Sequence, residues 1–335
     1  MSEIQLQQAI VHVLDSNVGV PVLSRRELEL IPEIQHYFEK LIERAMADDG
    51  LKEAWFQGDG SRMRERCERL AGGGDLIEIS AEIAGDFYRI MVEQGAIPPA
   101  DLVCCRFDWN EQAFLGVLKL NYRTGFIHFV ATERDGQEVS LVQQKTVLPS
   151  ESQKPEECFF VALDGFGIRL LEKEVEIDGE KDFYLSKLLL GCEYGLSNRE
   201  KVKVLDKVTK QIGQKYYSED VTAVARMRQA VTGKTAEDRP VELDELAGSV
   251  FREDPVVRKE YLEEIRKAGL VEAEVRLPEK LAVRKFASQK IETDTGIELQ
   301  FPAEYFNNKE KIEIINNPDG TLSILIKNVT KIKNK

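Results

Sequence analysis

The chain has 335 residues and a net charge of −13, with 42% hydrophobic and 31% charged residues. This apolar fraction is too high for a mostly disordered chain, and the length is too great for one small core, so two or three domains are expected. The acidic balance excludes a protein that coats DNA with positive charge over its whole surface.

Targeting and cysteine patterns predict a cytoplasmic protein. No apolar run reaches the ~18 residues needed to span a bilayer, and residues 1–15 lack the basic start and the small-residue cleavage site of a signal peptide. The five cysteines are odd in number and form no CxxC motif, and the adjacent Cys104 and Cys105 lie in a strand-like run. Reduced thiols in a protein core are therefore expected.

The first part of the chain begins with one strand and continues with helices. Alternating apolar residues predict a strand over 4–14, and helical spacing after a proline predicts a helix over 32–46. Residues 55–60 are expected to form a loop. Two more helices are predicted after Ser61 and Asp75, because both residues are good N-caps.

From Ala100 the period of the apolar residues changes to two. This alternation predicts strands over 102–109, 113–120, 126–133, 139–148, 159–163 and 168–177. Turn residues separate the segments, which favours hairpins. The order of elements predicts an α+β domain over residues 1–180, in which an antiparallel sheet carries helices on one face.

The central region, residues 181–270, is predicted to be helical. Its apolar run at 188–190 breaks at Gly191, and Ser197 or Asn198 is expected to cap a highly charged helix. Helical spacing and caps predict further helices over 219–231, 242–251 and 254–268.

The C-terminal region, residues 271–335, is predicted to be a small β region with a Lys-rich tail. Alternating apolar residues over 275–286 predict a strand there, and the Asn-Pro-Asp-Gly sequence at 317–320 is a strong hairpin signal.

The balance of charged residues differs between the first and the later part of the chain. Residues 1–198 hold 20 Lys/Arg and 35 Asp/Glu, whereas residues 199–335 hold 26 and 24. Nucleic acid is therefore expected to contact the later part.

The sequence contains no catalytic or metal-binding motif, so no enzyme activity, cofactor or metal site is predicted. A structural role is favoured over a ligand or base for His12 and for His128, which lie far apart in strand-like segments. The Gly-Lys-Thr sequence at 233–235 resembles the end of a phosphate-binding loop but lacks its earlier glycine and preceding strand. No Lys has Asp or Glu two positions before it, which argues against a metal-dependent nuclease.

Three acidic residues, Glu172, Glu174 and Glu176, fall on one face of a predicted strand. Their spacing fits either a cation site or a solvated sheet edge. The solvated edge is favoured, because edge strands commonly carry charge.

A basic stripe on the helix after Asn198 is the main candidate site. Arg199, Lys203, Lys207 and Lys210 follow a spacing of i, i+4, i+8 and i+11, opposite an apolar stripe. Such a helix can follow a phosphate backbone, but Asp206 lies within the stripe, and spacing alone favours a solvated face. Further candidate DNA-binding residues are Arg284, Lys285, Lys331, Lys333 and Lys335.

Three blocks of the sequence together carry a resemblance to one known family. The first is the strand over 4–14, and the second is the Leu-Leu-Gly-Cys-Glu-Tyr-Gly-Leu-Ser-Asn sequence at 189–198. The third comprises Arg-Lys-Phe-Ala at 284–287, Thr-Gly-Ile-Glu-Leu at 295–299 and Asp-Gly-Thr-Leu at 319–322. These blocks resemble the bacterial nucleoid-associated protein family of the NdpA/YejK type, and the similarity in order and spacing covers most of the chain.

This resemblance implies a cytoplasmic protein located at the nucleoid, in contact with DNA or with DNA-handling proteins such as type II topoisomerases. It raises the basic stripe to the favoured hypothesis: a non-enzymatic protein that binds DNA phosphates without base specificity. The alternative is an interaction module whose acidic first domain docks onto a DNA-handling partner. Oligomerisation is compatible with both.

Overall fold

The computed structural model describes residues 4–17, 19–58, 60–133, 136–177, 179–217, 222–252, 254–306 and 308–333. The chain divides into two compact units, Met1–Gly195 and Leu196–Lys335. The three-part division predicted from the sequence, with boundaries at 180 and 270, stays a prediction.

The first unit contains eleven of the strands that the structure describes and three α-helices. The strands are β1 (Ile4–Leu14), β2 (Lys52–Phe56), β3 (Ala100–Trp109), β4 (Gln112–Asn121), β5 (Arg123–Glu133), β6 (Gly136–Val147), β7 (Glu157–Ala162), β8 (Ile168–Leu171), β9 (Glu174–Ile177), β10 (Glu180–Phe183) and β11 (Cys192–Tyr194). The helices are α1 (Pro32–Met46), α2 (Arg62–Ala71) and α3 (Leu76–Gln94).

Seven of these strands form one antiparallel sheet in the order β1-β3-β4-β7-β8-β2-β11. Two separate hairpins, β5–β6 and β9–β10, complete the strands of the unit. The predicted α+β class and antiparallel sheet are confirmed.

Alternation along the strands gives the main sheet two apolar faces. Leu102 and Cys104 of β3 pack in the core beneath α2 and α3, whereas Val103 and Cys105 pack in the core beneath α1. Helices therefore cover both faces of the sheet, whereas the sequence predicted helices on one face only. This explains why the central strand β4 is almost continuously buried, as expected for a strand between two layers.

The predicted loop over 55–60 is wrong in its first part, because β2 runs through Lys52–Phe56 and pairs with both β8 and β11. The strand was hidden because its first inward side chain is charged. Lys52 is buried, and its Nζ lies 3.2 Å from Oε1 of Glu172, a residue 120 positions later.

The favoured solvated edge for the three glutamates is wrong for Glu172. Its side chain is fully buried, and its Oε2 accepts a hydrogen bond from the Ser186 amide. Glu172 lies between β8 and β9, so it does not share a strand with Glu174 and Glu176, which are exposed. Pairing with Lys52 is what allows this carboxylate to be buried.

All five cysteines belong to the first unit, and each is buried and free. Cys104 and Cys105 lie on opposite faces of the sheet, as predicted. Burial raises the pKa of the Cys67 thiol and of the Cys192 thiol to about 12, so both are protonated at neutral pH. These thiols are core residues.

The second unit combines a helical core with short strand pairs. Its helices are α4 (Asn198–Tyr217), α5 (Thr222–Ala236), α6 (Leu243–Val250), α7 (Pro255–Lys267) and α8 (Glu279–Phe286). Its strands are β12 (Val241–Glu242), β13 (Glu274–Val275), β14 (Ser288–Glu292), β15 (Glu298–Pro302), β16 (Ile312–Asn316) and β17 (Leu322–Ile326). A 3₁₀ turn occupies Ala303–Tyr305.

The predicted strand over 275–286 is wrong for most of its length, since α8 occupies Glu279–Phe286. Leu281, Ala282 and Phe286 are buried, and this spacing defines a helical face. Val283, which supported the alternating pattern, is 47% exposed. The predicted turn at 317–320 is confirmed, because it joins the paired strands β16 and β17.

Candidate nucleic-acid interface

The N-terminus of α4 is fixed by a reciprocal pair of side-chain hydrogen bonds. The Glu200 amide donates to Ser197 Oγ at 3.3 Å, and the Ser197 amide donates to Glu200 Oε2 at 2.8 Å. This capping box satisfies two amides that the first helical turn leaves without partners. Of the two N-caps predicted, Ser197 is the one used.

Helix α4 is amphipathic, with its apolar side in the core of the second unit. Val202, Leu205, Val208 and Ile212 are buried there, and α4 packs against α5, α7 and α8. The opposite side exposes the four predicted cations, Arg199, Lys203, Lys207 and Lys210. We call these four residues the cationic face. With a rise of 1.5 Å per residue, it extends over about 16 Å.

Asp206 interrupts the cationic face, as its position in the sequence predicted. Its Oδ2 lies 2.6 Å from Lys210 Nζ, and its Oδ1 accepts from Arg228 at 3.2 Å. Within the described part of the chain, neither Lys203 nor Lys207 is engaged in an ion pair. The middle of the face therefore has two exposed ammonium groups with uncompensated charge.

Arg228 of α5 connects α4 to the residues that follow α8. Its Nη1 donates to the Ser288 carbonyl at 2.9 Å and to Gln289 Oε1 at 2.8 Å, while its Nη2 reaches Asp206. One guanidinium thus holds the residues after α8 beside the centre of α4. Sequence spacing could not show this, because the three elements are far apart along the chain.

This bridge brings two more candidate cations towards α4. Arg284 and Lys285 are exposed in the last turn of α8, three to four residues before Ser288, which is about 5–6 Å along a helix axis. Their charge also complements the negative end of the helix dipole, which is a structural reason for their position.

The Lys-rich tail is not joined to this group. Lys331 and Lys333 are exposed and follow β17 without helix or strand, and Lys335 lies outside the described residues. Just before them, the Lys327 amide donates to the Lys311 carbonyl, so the start of the tail is held by the β16–β17 hairpin.

The histidines show no arrangement for catalysis. His12 is fully buried; its Nδ1 accepts from the Ser24 amide at 3.1 Å, and burial lowers its pKa. His128 is exposed on β5. No group of three His, Cys, Asp or Glu among the described residues could hold a metal ion. The Gly-Lys-Thr sequence at 233–235 lies inside α5, where no phosphate-binding loop can form.

One concave site escaped sequence reasoning. A cleft of about 440 Å³ in the first unit is lined by Trp55, Gln57, Ser186, Lys187, Gly191, Cys192, Glu193 and Tyr194. Its only described carboxylate, Glu193, already accepts from Trp55 Nε1 and Gln57 Nε2. The cleft forms beside a π-helical turn, Leu185–Leu190, and no sequence pattern marks such a turn.

Together these observations define an α+β protein whose second unit presents an exposed cationic helix. The chain belongs to the family described as nucleoid-associated protein YejK, whose model matches residues 10–333. The resemblance seen in the sequence is confirmed. Membership indicates a protein of the bacterial nucleoid. No curated protein matches the chain.

No helix among the described residues is long and apolar enough to cross a membrane.

Proposed function

We propose that this protein binds DNA at the nucleoid through sequence-independent phosphate contacts and catalyses no reaction. The cationic face makes the central contacts, Arg284 and Lys285 extend them, and the tail with Lys331, Lys333 and Lys335 adds further contacts. The exposed, uncompensated ammonium groups of Lys203 and Lys207 carry the proposal.

The dimensions and chemistry of α4 support this proposal. About 16 Å of helix equals the rise of roughly five nucleotides of one strand along the DNA axis, at 3.4 Å each. The face presents Arg and Lys side chains, which contact phosphates as charges, and its one acidic residue is already paired. Such contacts position a protein on DNA without reading bases.

The acidic balance of the whole chain does not oppose a local contact. At physiological salt the Debye length is about 8 Å, so charges farther than this from the cationic face are largely screened. Binding then depends on the charges nearest the phosphates.

A DNA titration of the full chain at two salt concentrations tests the proposal. The variant is Lys203→Glu with Lys207→Glu, and the matched control is Lys259→Glu with Lys309→Glu, two exposed lysines of the same unit. We expect the first variant to weaken binding at low salt at least ~10-fold for every DNA sequence, and to lower the slope of log K against log salt by ~2.

The control variant should bind DNA like the wild type, apart from a small loss of affinity that is equal for every DNA sequence. Absence of binding at low salt, or equal loss in both double variants, would refute direct binding through α4.

The charge of the first unit favours a second candidate function. Residues 1–198 carry a balance of −15, which suits docking onto a basic surface of a DNA-handling protein such as a type II topoisomerase. In that case Lys203→Glu with Lys207→Glu would leave nucleoid localisation intact. Affinity purification after nuclease treatment would also recover the partner.

A further inference from the structure

The β5–β6 hairpin of the first unit stands apart from the main sheet. Its two strands pair with each other from Arg123↔Val147 to Glu133↔Gly136 and, among the described strands, with no other. Eleven residues of extended chain reach about 36 Å. A two-stranded hairpin of this kind has only marginal stability in water unless something packs on it.

Both faces of this hairpin are apolar. Residues directly opposite each other on paired strands share a face. One face, which we call the Leu141 face, carries Phe126, Val130, Val139 and Leu141. The other, which we call the Phe129 face, carries Ile127, Phe129 and Val142. These seven side chains are between 45% and 74% exposed.

This exposure contrasts with the main sheet, where helices cover both faces. Over the two faces together, the seven side chains leave on the order of 700 Å² of apolar surface open, whereas the largest single patch of a typical monomer is about 300–600 Å². A standard protein interface buries about 800 Å² per partner, so the hairpin by itself supplies nearly the area that a stable dimer needs.

The charge pattern indicates what kind of molecule covers the hairpin. Residues 123–147 hold three Lys/Arg and three Asp/Glu, a net charge of zero in a chain at −13. No Lys, Arg, Asp or Glu occurs over 124–132 or over 139–144. The hairpin therefore offers neither a basic nor an acidic partner a complementary field.

A second copy of the chain fits these properties. Two molecules at −13 repel each other, and the repulsion is weakest where they meet through neutral surfaces. In a twofold contact the same patch serves both partners, and an uncharged apolar face is complementary to itself.

We propose that the β5–β6 hairpin is a dimerisation arm. The Leu141 face of one copy packs against the Leu141 face of the other across a twofold axis, and the Phe129 face packs against the body of the second copy. Both apolar faces are then buried, and the particle carries two cationic faces.

Sedimentation of the full-length protein over a micromolar concentration series tests the proposal. We expect the wild type to be a dimer. Leu141→Glu places a charge in the interface of each copy and should raise the dissociation constant at least ~100-fold. Phe129→Glu should weaken the dimer through the opposite face. The matched control is Val271→Glu, which adds the same charge at a side chain 72% exposed in the second unit and should leave the dimer intact.

Charge complementation distinguishes the hairpin contact from any other route to a dimer. Leu141→Glu and Leu141→Lys should each be monomeric alone and form a heterodimer when mixed. Tryptophan fluorescence during unfolding checks that each variant is folded, since Trp55 and Trp109 are both outside the hairpin in the first unit. A monomeric wild type, or a Leu141→Glu variant as dimeric as Val271→Glu, would overturn the proposal.

Discussion

The two units of this protein differ in where their charged side chains lie, buried in ion pairs in one and exposed to solvent in the other. The buried charged side chains among the described residues, those of Lys52, Arg66, Lys119, Glu157 and Glu172, all lie in the first unit, where each has an ion-pair partner. In the second unit the corresponding buried polar residues are uncharged, and the cations of α4 face solvent. Charge inside a fold constrains its structure, whereas charge outside is available for a partner.

The clearest example of the first kind is Lys119 on β4. Its side chain is 1% exposed, and its Nζ donates to Glu157 Oε2 on β7 at 2.9 Å and to Asn121 Oδ1 at 2.5 Å. Burial lowers the pKa of Lys119, while the neighbouring Glu157 opposes this shift. The pair lies within the sheet that organises the whole unit.

The largest effect is expected when one partner of this pair is removed. Lys119→Met leaves Glu157 buried without its counter-charge, and we expect the free energy of unfolding to fall by about 3–5 kcal/mol. Urea unfolding followed by tryptophan fluorescence measures the free energy of unfolding of the first unit selectively, because both tryptophans belong to that unit.

Two further variants sharpen the comparison. Replacing both partners, with Lys119→Met and Glu157→Leu, should recover most of the loss, because no unpaired charge remains. On α4 the exposed Lys207→Met should change the stability by less than ~0.5 kcal/mol, measured by circular dichroism. If Lys119→Met and Lys207→Met lowered the free energy of unfolding by similar amounts, the burial of charged side chains would not distinguish the two units.

A smaller effect is expected from His12, the buried histidine of β1. Burial lowers its pKa, so the folded state holds the imidazole neutral, whereas the unfolded chain takes up a proton once the pH falls towards the ordinary value near 6.5. The unfolded state then binds more protons, and stability decreases as the pH falls below this value. The slope from one such group is at most about 1.4 kcal/mol per pH unit.

His12→Asn removes this titration while keeping an acceptor for the Ser24 amide. We expect a flatter dependence of unfolding free energy on pH between neutral and mildly acidic conditions, although the variant is less stable overall. His36→Asn, at a side chain that is 59% exposed, is the control and should keep the wild-type slope. An unchanged slope for His12→Asn would mean that His12 does not contribute to acid sensitivity.

Local signals explain which parts of the fold could be predicted. The strand β1, the helix α1 and the cap of α4 depend on residues within one turn or one strand, and their patterns are visible in the sequence. Strand β2 was missed because the ion pair that makes Lys52 an inward residue joins positions 120 apart. Helix α8 was missed because Val283 imitated an alternating pattern although it faces solvent.

The candidate sites show the same limit. Helical spacing was sufficient to place Arg199, Lys203, Lys207 and Lys210 on one exposed side of α4. The link from α4 to α8 through Arg228 was not accessible, since it depends on tertiary contacts. The strands of the β5–β6 hairpin were predicted, but apolar alternation cannot tell whether another layer covers them.

At Asp206 a charged side chain of the second unit supports the fold through an ion pair, as charged side chains do in the first unit. Its carboxylate is 27% exposed and pairs with the mostly buried Arg228, so it serves the fold, yet it also lies within the cationic face and neutralises Lys210. The two uses of charge therefore compete at this one residue, and a single substitution can separate them.

Only a small change in stability is expected for Asp206→Asn. An asparagine oxygen can still accept from Arg228, which also keeps its bonds to Ser288 and Gln289, so a loss of only about 1 kcal/mol is expected. For DNA binding, the substitution removes one negative charge from α4 and so raises the net charge of the helix by one. Affinity at low salt should rise several-fold, with a salt slope steeper by up to ~0.9. Asp294→Asn makes the same charge change at an exposed turn. If it raised the affinity as much, DNA would respond to the net charge of the chain and α4 would not be the contact surface.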